Sequence, residues 1–162
     1  MVRRLVVGLW LACASFAGLC ADSASLSVQG VKPDPIRYSL SDLKALPLHK
    51  LRVDFPQGRS AECEGVRVAD ILTKSGVAMG KSLGGARLGE YLLVTARDGY
   101  TVVFSLPELD AEFTEVPAIL CLALDGAPIA EDTGPLRLVV PRDKRHSRWV
   151  RQVSGLTLKK AI

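Results

Sequence analysis

The stretch from Gly134 to Val153, GPLRLVVPRDKRHSRWVRQV, sets Arg142, Lys144, Arg145, His146, Arg148 and Arg151 behind an apolar run that Pro141 stops. Guanidinium forks bind phosphate and other oxyanions through paired, charge-assisted hydrogen bonds, and clustered cations hold an anion more tightly where water is excluded. Arg142, Lys144, Arg145, His146 and Arg148 form a candidate anion site. The same spacing also suits solvated charges on an exposed strand pair, with Trp149 packed inward. Asp98 and Tyr100 in ARDGYT are further candidates. The plainer reading makes Asp98, before Gly99, a turn residue and Tyr100 a strand aromatic.

Cys63 is the outside candidate for a metal ligand. Glu62 and Glu64 flank it, and neighbouring carboxylates oppose formation of the thiolate that binds metals, so a structural cysteine is the other reading. Cys121 lies inside the apolar run AILCLAL and reads as a small buried hydrophobe, with a bridge to Cys63 as the alternative in an oxidising compartment. Their spacing suits no zinc site. His49 and His146 are the only histidines, too few and too isolated to mark a Ser-His-Asp or two-histidine metal site. The segment LGGARLG lacks the Lys-Ser/Thr ending of a phosphate loop and reads as a connection.

Residues 1–21, MVRRLVVGLWLACASFAGLCA, place two arginines before an apolar and small-residue run that ends at Ala21, the order of a secretory signal. Cleavage after Ala21 leaves residues 22–162 as one domain in the periplasm or outside the cell. A retained membrane anchor is the competing reading; the Ala, Gly, Ser and Cys content and the polar DSAS that follows favour removal, so no stable membrane insertion is expected. Losing Arg3 and Arg4 takes the 21 Lys and Arg to 19 against 17 acids. A nearly neutral domain with its basic excess gathered near the C-terminal end suits a compact anion better than nucleic acid, which calls for an extended basic face.

An apolar fraction of 48% with 6% aromatics suits a compact globular chain, and no internal repeat or linker interrupts it. SLSVQGV alternates like an edge strand. YSLSDLKALP reads as a short helix capped by Ser39 or Ser41 and stopped by Pro47. LHKLRVDF puts Leu51, Val53 and Phe55 on one strand face; PQGR is a turn, followed by a short strand near Ala61 to Cys63. VRVADILTKSG is a helix with Val68, Ile71 and Leu72 on its buried side, and KSLGGARLG a loop. EYLLVTARDGYTVVFSL is a hairpin turning at Asp98-Gly99, PELDAEF a brief helix, AILCLALDGAPI and GPLRLVV strands, and WVRQV and LTLKK two closing strands. Short strands broken by single-turn helices, without regular helix–strand alternation, predict an α+β, mainly β domain with mixed sheets.

The ordered set YSLSDLKALP, CEGVRVADILTKSGV, LLVTARDGYTVVFSLPELD, ILCLALDGAPI and GPLRLVVPRDKRHSRWVRQV resembles the oxidoreductase molybdopterin-binding domain of the sulfite oxidase family, over nearly the whole mature chain. The resemblance implies the sulfite-oxidase-type fold and a molybdopterin site held by backbone and cationic side chains, its metal bound by one cysteine thiolate. It also implies that DKRHSRW contributes to cofactor and anion binding, and that the loop with Asp98 and Tyr100 faces the cofactor side. The family's metal-binding cysteine stands well before the Gly-Val step, in a stretch that here reads HKLRVDFPQGRS and holds no cysteine. A thiolate is a soft ligand that tunes the metal, and Leu51, Val53 or Phe55 cannot replace it. Arg3-Arg4 lacks a preceding Ser or Thr and is followed by a very apolar run, which suits export of an unfolded chain, without a cofactor made in the cytoplasm.

The expectation is therefore an exported molybdopterin-domain-like protein without a competent molybdenum site and with no cofactor, binding a small anion or another periplasmic protein. The alternative is a small periplasmic molybdopterin-dependent oxidoreductase of sulfite-oxidase type, its metal site completed by a partner or by Cys63.

Overall fold

The computed structural model describes residues 25–161, and the leader predicted over residues 1–21 lies outside them. Strands β1 (Ser25–Gln29), β2 (Ile36–Ser39), β5 (Glu90–Ala96), β6 (Thr101–Ser105) and β10 (Val153–Lys160) form a five-stranded sheet in the order β2-β1-β10-β5-β6. It is mixed: β1 runs parallel to β10, while the other neighbours are antiparallel. The second sheet is antiparallel throughout and holds β3 (Leu48–Asp54), β4 (Ser60–Arg67), β7 (Ile119–Leu124) and β8 (Ala127–Pro128) in that order, with β9 (Arg137–Val139) also paired to β7. Three short helices, α1 (Leu40–Lys44), α2 (Val68–Ser75) and α3 (Leu106–Leu109), complete the α+β, mainly β architecture among the described residues. No helix among these residues is long and apolar enough to cross a membrane.

Local chemistry explains most of these elements. Strand β5 buries Glu90, Leu92, Val94 and Ala96 and leaves the residues between them partly exposed, the two-residue period of a strand with one covered face. Its turn into β6 uses Gly99 at φ 87°, a conformation that side chains with a Cβ rarely adopt. Ser39 caps α1: its hydroxyl accepts from the Asp42 amide at 3.1 Å, and the Asp42 carboxylate accepts from the Ser39 amide at 2.8 Å. Helix α2 buries Val68, Ile71, Leu72 and Ser75, one stripe at helical spacing, and stops at Gly76. One continuous apolar core draws Leu26, Leu92 and Leu156 from the first sheet, Val53, Val66, Leu120 and Leu138 from the second, and Leu43, Ile71 and Leu106 from the helices.

Strands β4 and β7 approach closely. A Cβ on Gly65 would lie 2.1 Å from the Leu120 carbonyl oxygen and 2.8 Å from Cys121 Cα, so only glycine fits where the β4 register shifts between Glu64 and Gly65. A disulfide joins Cys63 to Cys121 across the same two strands, with Cα atoms 5.6 Å apart. Both cysteines are fully buried. This corrects the reading of Cys121 as a free buried hydrophobe and removes Cys63 as a candidate metal ligand: its sulfur is already committed, and a disulfide sulfur offers no thiolate.

The closing segment differs from expectation as well. Only β10 forms where WVRQV and LTLKK predicted two strands, and residues 146–148 make a single 3-10 turn, so no exposed strand pair carries the arginines. The backbone of 149–152 is satisfied elsewhere: Leu138 N–H donates to the Val150 carbonyl at 2.8 Å and Trp149 N–H to the His146 carbonyl at 3.0 Å, while Gln152 takes φ 51°. The strand predicted near Ala61 extends through Arg67, and the KSLGGARLG loop contains two short 3-10 turns.

Candidate functional site

A cavity of about 550 Å³ opens where the two sheets and the C-terminal loop meet. The β5–β6 turn supplies Asp98 and Tyr100, the turn between β3 and β4 supplies Phe55 and Arg59, β9 supplies Arg137, and the loop before β10 supplies His146, Ser147, Trp149 and Arg151.

Arg137 dominates its electrostatics. It stands in the otherwise apolar strand GPLRLVV, so its guanidinium is half-buried and lies over the Phe55 ring, 4.3 Å from the centroid. Its Nε is buried without a hydrogen-bond partner. Burial holds the group below the ordinary guanidinium value, repulsion from Arg151 and Arg59 adds to that, and Asp132 alone opposes. A cation left without its hydrogen bond beside two others of the same sign is the arrangement an incoming anion relieves.

The wall beside it is a run of rings. Trp149 meets Phe55 edge-on at 5.5 Å and His146 edge-on at 4.1 Å, and its indole N–H donates to the Val140 carbonyl at 2.9 Å. Tyr100 is half-exposed, and its hydroxyl donates to the Ser147 carbonyl at 2.6 Å, tying the β5–β6 turn to the loop. Asp98 accepts from the Tyr100 amide at 2.9 Å, so it is both turn residue and cavity wall.

The predicted cationic patch separates into groups with different partners. His146 lines the cavity with Asp98 and Tyr100. Arg148 does not: it donates through Nε and Nη2 to both Asp143 oxygens at 2.8 and 2.7 Å, and through Nη1 to Glu108 at 2.8 Å. The Asp143 bonds, with those to Glu108, hold Arg148 above its ordinary value against the effect of burial. Burial alone would raise Glu108, but the hydrogen bonds from Arg148 and Ser105 outweigh it and keep that carboxyl below its usual value. Arg142 pairs with Glu115 at 3.0 Å. Arg142 and Arg148 border a second, smaller hollow of about 390 Å³ with Phe104, Phe113, Glu108 and Asp143. Lys144 and Arg145 are exposed and line neither cavity.

Sequence reasoning therefore misses Arg59, Arg137 and Arg151 as cavity residues. One signal was present: a lone arginine in an apolar strand demands compensation, since charged groups are almost never buried unpaired. Arg59 carries no comparable signal, lying in an ordinary turn.

The cavity can be tested against the cofactor that the resemblance implies. Its oxygen and nitrogen donors are dispersed, and no cluster of three His, Cys, Asp or Glu among the described residues could share a metal ion. The two described cysteines are bonded to each other and neither borders the cavity. This donor set does not fit a thiolate-held metal; the three arginines fit a phosphate or another oxyanion.

The profile of the oxidoreductase molybdopterin-binding domain matches residues 17–161. Among solved structures, the fold is similar to the sulfane dehydrogenase SoxCD from Paracoccus pantotrophus, with a TM-score of 0.67 and 18% sequence identity. That alignment covers 86% of this chain and 39% of the other, so the chain spans well under half of that protein. No curated protein matches the sequence.

Proposed function

Because the chain belongs to the oxidoreductase molybdopterin-binding domain family, we propose that it is an exported member that uses the cavity described above to bind a small anion, or an acidic group of a periplasmic partner, without a competent molybdenum site. The observation that carries this reading is the half-buried Arg137, which lines the cavity together with Arg59 and Arg151 and is repelled by both. The anion's oxygens bond Arg137 where it lines the cavity, and Phe55 and Trp149 pack beside the guanidinium. His146 adds a ring nitrogen on the same wall, while Asp98 and Asp132 limit how much negative charge the site takes.

Calorimetric titration of the purified protein with sodium sulfate and sodium phosphate tests this. Binding that falls about tenfold or more in Arg137→Gln supports it, as expected for loss of a charge-assisted hydrogen bond. Equal binding by the variant, or none by the wild type, overturns it.

A second reading, a small periplasmic molybdopterin-dependent oxidoreductase, is favoured by the size of the cavity, which falls within the range of organic-ligand sites. The arginines and His146 would then hold the pterin's phosphate, and the metal, once ligated, would supply the redox chemistry. Stoichiometric molybdenum in protein isolated from its native compartment would establish that reading and remove the first.

A further inference from the structure

The two cavities flank one loop, residues 141–149, and Arg148 sits on its far side from the anion site. We propose that Arg148 is a positioning residue for that site: its fork to Asp143 and Glu108 latches the loop that carries His146, Ser147 and Trp149 into the cavity wall. This rests on the anion-binding reading above.

Three observations build the latch. Within the loop, the bidentate Arg148–Asp143 pair and the bond from Asp143 N–H to the Val140 carbonyl at 3.0 Å fold residues 140–148 on themselves. Trp149 closes the same turn through its indole N–H to Val140. Outside it, Glu108 divides its carboxylate: one oxygen caps α3 by accepting from the Ser105 amide and hydroxyl at 2.8 and 3.0 Å, and the other takes Arg148. The loop is thus fastened at both ends of β6, by Tyr100 ahead of the strand and by Glu108 beyond it. Phe104 in that strand lies under the guanidinium, 4.7 Å from its centre. A lysine could meet either carboxylate but cannot reproduce a planar fork on one and a third bond to the other.

The sign of one effect separates a latch from simple electrostatics. Neutralising an acid near an anion site makes the local potential more positive, so Glu108→Gln and Asp143→Asn should tighten sulfate binding if only charge matters. The latch predicts the opposite: each variant, and Arg148→Lys with its charge retained, loses about three- to tenfold in sulfate affinity. Hydrogen exchange gives a readout independent of the anion. The Trp149 amide, bonded to the His146 carbonyl, should exchange faster in all three variants while amides of β5 and β10 keep their protection, which also shows that the variants are folded. If the wild type binds sulfate and the neutral variants bind as tightly or tighter, the positioning role falls and the anion site stands. Faster exchange with unchanged affinity overturns it too. If the wild type takes no sulfate, the anion reading is overturned and the positioning role with it.

Discussion

The two hollows on either side of the 141–149 loop treat the same residue type in opposite ways. Arg148, on the second, spends its donors on Asp143 and Glu108 and is held charged by them. Arg137, on the first, has two arginines for neighbours and a buried Nε with no acceptor. Arginine density along a chain therefore does not tell which arginines lack acceptors; the local supply of carboxylates does. Where acids match the cations the charge is paired within the fold, and where they fall short it is left without a partner, which is what the proposed anion site rests on.

The largest change we expect to measure concerns the frame both hollows share. Replacing Cys63 and Cys121 together with alanine removes a cross-link spanning 58 residues and should lower the unfolding free energy by about 2–4 kcal/mol in denaturant titrations. Sulfate affinity should hold, because neither cysteine borders a hollow. Next comes the contrast itself. Arg137→Gln should leave the melting temperature level or raise it while costing about tenfold or more in sulfate affinity. Arg148→Gln should instead lower stability by about 1–2 kcal/mol, an amount limited by solvent screening of a partly exposed network. Matching melting curves for the two variants would erase the distinction.

A smaller effect lies in pH. Glu108 is held below its unfolded value, so the stability it contributes is present above the ordinary carboxylate range and is lost as pH falls through its folded value. Thermal melts in that acid range should show Glu108→Gln with a shallower decline than wild type, by less than about 1 kcal/mol given the exposure of the pair. Smallest of all, Lys144→Ala with Arg145→Ala should change stability and sulfate binding by less than about 0.5 kcal/mol, since both side chains are exposed and away from either hollow.

Most of the fold was legible in the sequence because local signals agreed with the final pairing. The Val68, Ile71, Leu72 stripe and the Asp98-Gly99 turn stand where the structure has them, and of the two caps the sequence left open, Ser39 and Ser41, the structure takes Ser39. The closing segment was not, since Trp149–Gln152 has strand-like alternation but its backbone bonds irregularly, to His146, Leu138, Thr133 and Arg97. The site was half legible. His146, Asp98 and Tyr100 reach the cavity, but nothing in DKRHSRW tells that Arg148 will meet Glu108, forty residues away. Ion pairing depends on which distant acids the topology delivers. Arg137 and Arg59 become neighbours only through the sheet that joins β3, β4, β7 and β9.

One feature of the first sheet governs when this protein can take shape. Strand β10 lies in its middle, with the β1–β2 pair on one side and the β5–β6 hairpin on the other. Within that sheet no strand but residues 153–160 links the two pairs by hydrogen bonds, so the sheet closes only once the last strand is in place. A chain ending before Val153 would keep both pairs and the second sheet but lack the strand that makes the first sheet continuous.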